Sequence, residues 1–359
     1  MATWDRATTR SDHAITTSGP ATTTFGPATP ATDPLFFYAG WWDYLRMKST
    51  FAVIAATLAV AVLALGTATH AAGTTILFIG NSFTFGSGSA VRFYRNNTVT
   101  DLNNEGVGGV PALFKSFTDQ AGLDYDVSLE TRGGVGLDFH LENKLDVLGT
   151  RGYDTVVAHG YSTLDQQKPR DPAKLIATAK QMGDFLRSKN PNVKYFLTAT
   201  WSRADQVYPE KGDWAGTPIE TMGKDVRAAY DKAAAASGAK VIAVGDAWNR
   251  AFATGFADRN PYDGIEAGKV NLWTTDSYHA STYGYYLEAL MVFGSITGKD
   301  PRSLTSRECS GFELGLPANQ VTALQQLAFD ELAVTNAVTP NPPEAGGRRQ
   351  AAARCAVKP

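Results

Sequence analysis

From Thr74 onward the chain alternates short apolar runs with longer amphipathic segments, and that alternation limits the folds open to it. The apolar runs lie at 75–79, 126–130, 153–159, 193–199 and 240–244, and they are rich in β-branched and aromatic residues. Such runs read as buried strands. Between and after them, 111–121, 137–148, 172–188, 219–237, 281–297 and 319–332 read as helices. Proline opens two of these helices, and Gly122, Gly149 and Gly238 follow the ends of others. Strands separated by helices connect in parallel, and a parallel sheet needs both faces covered. The expectation is therefore an α/β domain over about 74–334.

The flanks read differently. Residues 1–46 are rich in Thr, Ala, Ser and Pro with no apolar period, which reads as a disordered or mis-assigned extension. Met47-Lys48, the apolar stretch 51–65 and the small residues before 71 have the layout of a secretory signal peptide over about 47–71. The stretch is short beside the roughly 20 apolar residues of a membrane span, so no stable span is expected after cleavage and the location is secreted or periplasmic. The alternative is one membrane anchor behind a cytoplasmic tail. Residues 335–359 read as a disordered tail. It contains Cys355, which with Cys309 makes up the cysteines of the chain; they either form one disulfide or stay free. A formal net charge of −2 with 19% charged residues gives no basic excess for nucleic acid. Nothing in the sequence fixes an oligomeric state.

The first apolar run closes in Gly80-Asn81-Ser82-Phe83-Thr84, a tight turn that would hold Ser82 at the carboxyl end of a parallel strand, where open α/β sheets bind ligands. A serine hydroxyl is a poor nucleophile without a base. Of the five histidines, His13 and His70 precede the domain, leaving His140, His159 and His279. His279 has Asp276 three residues before it, a spacing that lets a carboxylate orient the ring while the second nitrogen faces Ser82. Alternatively Asp276 caps the following helix and His279 stands at the surface. The second strand runs into Thr131-Arg132-Gly133-Gly134-Val135-Gly136, whose glycines permit a backbone N–H to approach a reacting carbonyl. The third ends in His159-Gly160-Tyr161-Ser162. Trp201, just past the fourth, is placed to wall a substrate pocket. His140 reads as an ordinary helix residue. No P-loop, dinucleotide fingerprint, His-Glu-x-x-His or Gly-x-Ser-x-Gly elbow is present, and the cysteines match no zinc spacing.

In order and content these pieces resemble the SGNH (GDSL-type) serine hydrolase superfamily over roughly 74–300. Gly80-Asn81-Ser82 stands where that superfamily has Gly-Asp-Ser, and Asp276-Ser277-Tyr278-His279 matches its Asp-x-x-His block. The resemblance implies a three-layer α/β/α fold with a five-stranded parallel, flavodoxin-like sheet. It also implies a catalytic Ser82, His279 and Asp276, with an oxyanion hole from the Ser82 and Gly134 backbones, Gly136 being the alternative glycine. The third block, normally Gly-x-Asn-Asp, is here Gly160-Tyr161-Ser162-Thr163, so its amide donor is missing. Ser162 takes that place by position, with His159 as the alternative. The activity implied is hydrolysis of carboxylic esters, such as acyl groups on carbohydrates, lipids or small molecules, with no metal or organic cofactor. An acyltransferase, or a non-catalytic glycan or cell-surface binding protein on the same fold, are the other readings.

Overall fold

The computed structural model describes residues 73–342 and Cys355. The expected extension at 1–46 and leader at 47–71 lie outside the described residues, as does most of the C-terminal tail. No helix among the described residues is long and apolar enough to cross a membrane.

The strands are β1 (Thr74–Gly80), β2 (Thr100–Asp101), β3 (Tyr125–Thr131), β4 (Thr155–Ala158), β5 (Lys194–Ala199) and β6 (Lys240–Ala243). They form one parallel sheet in the order β2-β3-β1-β4-β5-β6. Five of the six are the strands expected from the sequence, and their order is the 2-1-3-4-5 of flavodoxin-like sheets. The count of five is corrected to six by β2, two residues at the edge beside β3. Two residues carry no periodic pattern, which is why the sequence did not reveal them.

The helices are α1 (Gly109–Gln120), α2 (Leu137–Asn143), α3 (Leu145–Leu148), α4 (Ala173–Lys189), α5 (Ala204–Val207), α6 (Ile219–Ser237), α7 (Val244–Ala253), α8 (Thr282–Thr297), α9 (Cys309–Glu313) and α10 (Ala318–Val334). The crossover from β1 to β3 through α1 runs opposite in sense to those that lead on to β4, β5 and β6. Right-handed crossovers of opposite sense put their helices on opposite faces. Accordingly α1 packs with α8, and α8 with α10, while α4 packs between α2 and α6. Helix α8 is apolar around most of its circumference and buried from Gly284 to Gly294, as befits a helix enclosed by others. The helix expected at 137–148 is interrupted at Lys144, whose φ of −131° leaves the helical region.

The tail is corrected over its first residues. Val338 packs into the core, Thr339 N–H donates to Gly298 O at 3.1 Å, and Asn341 N–H donates to Asp300 Oδ2 at 2.8 Å. Cys309 and Cys355 form a disulfide, Cα–Cα 5.2 Å.

Register decides where chemistry is possible. Gly80 of β1 pairs with Thr131 of β3, Ile79 with Ala158 of β4, and Ala158 with Leu197 of β5. The carboxyl ends of the central strands are thus nearly flush, and every loop leaving them opens on one rim.

Candidate active site

The turn after β1 is built by its own backbone. Thr84 and Phe85 N–H both donate to Asn81 O, at 3.0 and 3.2 Å, and Ser87 N–H donates to Ser82 O at 2.9 Å. Gly80 is obligatory here, because a Cβ would lie 2.1 Å from Thr84 Oγ1 and 2.6 Å from His159 Nε2. Asn81 ties the turn to both neighbouring loops. Its Oδ1 accepts Phe83 N–H at 3.1 Å, while its Nδ2 donates to Val135 O at 2.8 Å and Gly160 O at 3.4 Å. Ser82 is 7% exposed, and its backbone N–H has no partner among the described residues. The same holds for Gly134 N–H. Gly134 has φ +75°, a conformation costly for any residue with a side chain.

Across the rim, Asp276 organises the loop that carries His279. Its Oδ1 accepts the Thr274 hydroxyl at 2.6 Å and the Tyr278 and His279 N–H groups, each at 2.9 Å. Its Oδ2 lies 2.6 Å from His279 Nδ1. Partial burial works to raise the Asp276 pKa, but the His279 ring, the Thr274 hydroxyl and the two amides together bring it down to about 2. A carboxylate that accepts throughout fixes the proton of a neutral His279 on Nδ1. His279 Nε2 is buried with no hydrogen-bond partner among the described residues.

Aromatic packing brings the two halves together. The Phe83 ring, one residue after Ser82, meets the His279 ring edge-on at 5.7 Å and stacks on Trp201 at 4.1 Å. Trp201 Nε1 donates to Tyr278 O at 3.2 Å. Tyr285 of α8 donates to Ser82 O at 3.3 Å and Ser87 O at 3.1 Å. No hydrogen bond joins Ser82 Oγ to His279 Nε2 in this arrangement.

Two sequence expectations change. Trp201 does not wall a pocket: it is fully buried, sandwiched between Phe83 and Trp248, the latter at 4.8 Å. His159 is no free donor either. Its Nδ1 pairs with Gly160 O at 3.0 Å and its Nε2 with Thr84 Oγ1 at 2.8 Å, beneath the turn. Burial, the main cause, lowers its pKa to about 4, so the ring is neutral and Nε2 accepts the Thr84 hydroxyl. Gly136, the alternative glycine, is needed for packing, since a Cβ there would meet the Tyr161 ring at 2.5 Å. Ser162 does reach the rim, where its Oγ accepts from Arg203 Nη1 at 3.3 Å.

Arg203 itself was not anticipated. It is held by Asp205 through Nε at 3.0 Å and lies 3.5 Å from the Tyr278 ring centroid, next to His279. A charged residue four positions past the end of β5 was the available signal. Asp205 N–H in turn donates to Ser277 O at 3.1 Å, so this segment also braces the histidine loop.

No protein-family model matches the chain. No curated protein matches it either. Solved structures do. A DUF4886 family protein from Bacteroides uniformis is 17% identical, with 74% of this chain and 97% of that one covered at a TM-score of 0.51. The acetylxylan esterase Axe2 from Geobacillus stearothermophilus is 16% identical, with 63% and 96% covered at 0.44. A lipase/acylhydrolase from Enterococcus faecalis is 16% identical, with 63% and 96% covered at 0.39. At such identities the likeness is one of architecture. The parallel sheet with flavodoxin-like strand order, flanked by helices on both faces, is the architecture this chain has in common with the DUF4886 family structure.

Proposed function

We propose that this protein is an exported serine hydrolase that cleaves carboxylic esters through an acyl-enzyme. The observation that carries the reading is His279: Nδ1 is fixed by an ionised Asp276, and Nε2 is buried, without a hydrogen-bond partner among the described residues, and beside the turn of Ser82. In this reading Ser82 Oγ attacks the ester carbonyl carbon as His279 Nε2 takes its proton. The tetrahedral intermediate collapses with that proton passing to the leaving alcohol, and water then repeats the sequence to release the acid. Asp276 orients the ring and balances the imidazolium. The free N–H groups of Ser82 and Gly134 are the oxyanion donors, with the Ser162 hydroxyl, polarised by Arg203, as the third. The absence of a serine–histidine hydrogen bond before substrate binds is compatible with this role. The leader read at 47–71 and the Cys309–Cys355 disulfide support an oxidising, extracytoplasmic location.

Ser82→Ala tests the assignment on short p-nitrophenyl esters. The expected loss is on the order of 10⁶ in rate with the fold intact, together with loss of fluorophosphonate labelling. Turnover like wild type in that variant overturns it. Absence of labelling in the wild type favours the binding-protein reading instead, and a panel of acetylated sugars and aryl esters reads out the alcohol preferred.

A further inference from the structure

A second histidine–carboxylate pair lies under the nucleophile turn, unused by the chemistry above. His140 of α2 and Glu130 of β3 are both completely buried. His140 Nδ1 is hydrogen-bonded to Glu130 Oε2, and His140 Nε2 lies 3.0 Å from Gly80 O. That same carbonyl accepts Arg132 N–H at 3.0 Å. One oxygen therefore links the end of β1, immediately before Asn81-Ser82, to the start of the glycine loop. Glu130 Oε1 accepts from Asn103 Nδ2 at 3.0 Å, with Lys144 Nζ 3.6 Å away. Asn103 Nδ2 also donates to Thr131 O at 2.8 Å, closing the cluster around the end of β3.

A carbonyl and a carboxylate are both acceptors, so each nitrogen of the imidazole between them faces an acceptor. Burial raises the Glu130 pKa, but His140, Asn103 and Lys144 together hold it below the usual carboxylate range, consistent with an ion pair. A buried ion pair contributes little net stability relative to apolar side chains of the same volume. Its placement on the one carbonyl shared by two active-site loops gives it a more specific use.

The geometry points to His140 and Glu130 as positioning residues for the hydrolysis proposed above: through Gly80 O they fix the spacing between the Ser82 turn and the Gly134 loop. The inference rests on that reading of Ser82. Both side chains are sealed from solvent, so neither touches substrate. A shift of about 1 Å in a reacting group costs on the order of 10² in rate, and the loss belongs in kcat, not KM.

The experiment compares three variants of the full chain with wild type on p-nitrophenyl acetate, with fluorophosphonate labelling of Ser82 in parallel. His140→Met keeps the volume and removes both ring nitrogens; kcat should fall on the order of 10²-fold with KM within about twofold, and labelling should slow equally. His140→Gln keeps an amide donor near the Nε2 position and should recover to within about tenfold of wild type. Glu130→Gln is isosteric and serves if His140→Met does not fold; it should lower kcat without raising KM. A folded His140→Met or Glu130→Gln enzyme with wild-type kcat overturns the inference. So does an equal fall in the Met and Gln variants that tracks their loss of thermal stability, since that is a purely structural effect. A wild type that neither turns over nor labels fails differently: it removes the hydrolase reading, and this inference with it.

Discussion

Replacing Asn81 by Asp installs the residue that the SGNH superfamily usually carries at this position, and it should weaken this protein. Asn81 is 7% exposed. Its Oδ1 accepts Phe83 N–H, a contact an aspartate keeps. Its Nδ2 donates to Val135 O at 2.8 Å, and a carboxylate cannot. The 3.4 Å contact to Gly160 O contributes little, and that oxygen retains His159 Nδ1 at 3.0 Å. Losing one good hydrogen bond and leaving a buried carbonyl unpaired costs about 2–3 kcal/mol. For a domain of this size that is roughly 5–10 °C in Tm. The sign with pH follows from burial. An acid facing carbonyl oxygens has its folded pKa raised above the unfolded value of about 3.9. Protonated, it donates as Asn81 does, so the deficit is absent below the unfolded pKa and grows as pH rises above it. Urea unfolding followed by tryptophan fluorescence at pH 4 and pH 7 measures both limbs. An Asn81→Asp protein as stable as wild type at pH 7, or a deficit that widens toward pH 4, refutes the reasoning.

Other expectations follow from the same geometry. Asp276→Asn should lower kcat by on the order of 10⁴ with little change in KM, because an amide no longer selects the Nδ1–H tautomer; steady-state kinetics decide it, and a change confined to KM would contradict the role. Trp201→Ala should cost about 3–5 kcal/mol of unfolding free energy and lower kcat through the histidine loop, whereas a pocket wall would raise KM alone. His159, held neutral down to about pH 4 by burial, binds fewer protons when folded than the unfolded chain does below its ordinary pKa of about 6.5. Its contribution is intact above about pH 6.5 and is lost as pH falls toward 4, on the order of 3 kcal/mol in all. The gap between wild-type and His159→Gln stabilities should shrink over that window, and a gap independent of pH would count against the assignment.

The legible parts of this chain were those whose signal is short in sequence. Strand runs, the Gly80 turn, the glycine loop and the Asp276–His279 spacing each sit within a few residues, and parallel topology then collects them at one edge. What stayed hidden depends on pairs far apart in the chain. Asn81 reaches Val135 across 54 residues, His140 reaches Gly80 across 60, and Trp201 reaches Tyr278 across 77. Trp201 shows the limit most plainly. Its place at the rim was readable, but the direction of its ring was set by Phe83 and Trp248, which no local pattern encodes. His140 looked like an ordinary helix residue because the acceptor that gives it meaning belongs to another strand.

These long-range contacts hold the segment of Ser82 against that of His279, although the two side chains share no hydrogen bond. Phe83 follows Ser82, and Tyr278 precedes His279, so whatever joins Phe83 to Tyr278 spaces Ser82 and His279. Trp201 does so, stacking on Phe83 with one face and donating Nε1–H to Tyr278 O. Its other face rests on Trp248, which meets Trp273 at 5.4 Å, and Trp273 Nε1 donates to Ser202 O at 2.9 Å. The chain of rings therefore closes on the residue next to Trp201. Rings locked on both faces have few alternative rotamers, so the spacing is fixed by packing before any substrate arrives. Ser82 and His279 can then remain without a mutual hydrogen bond, because their placement is carried by the neighbouring rings.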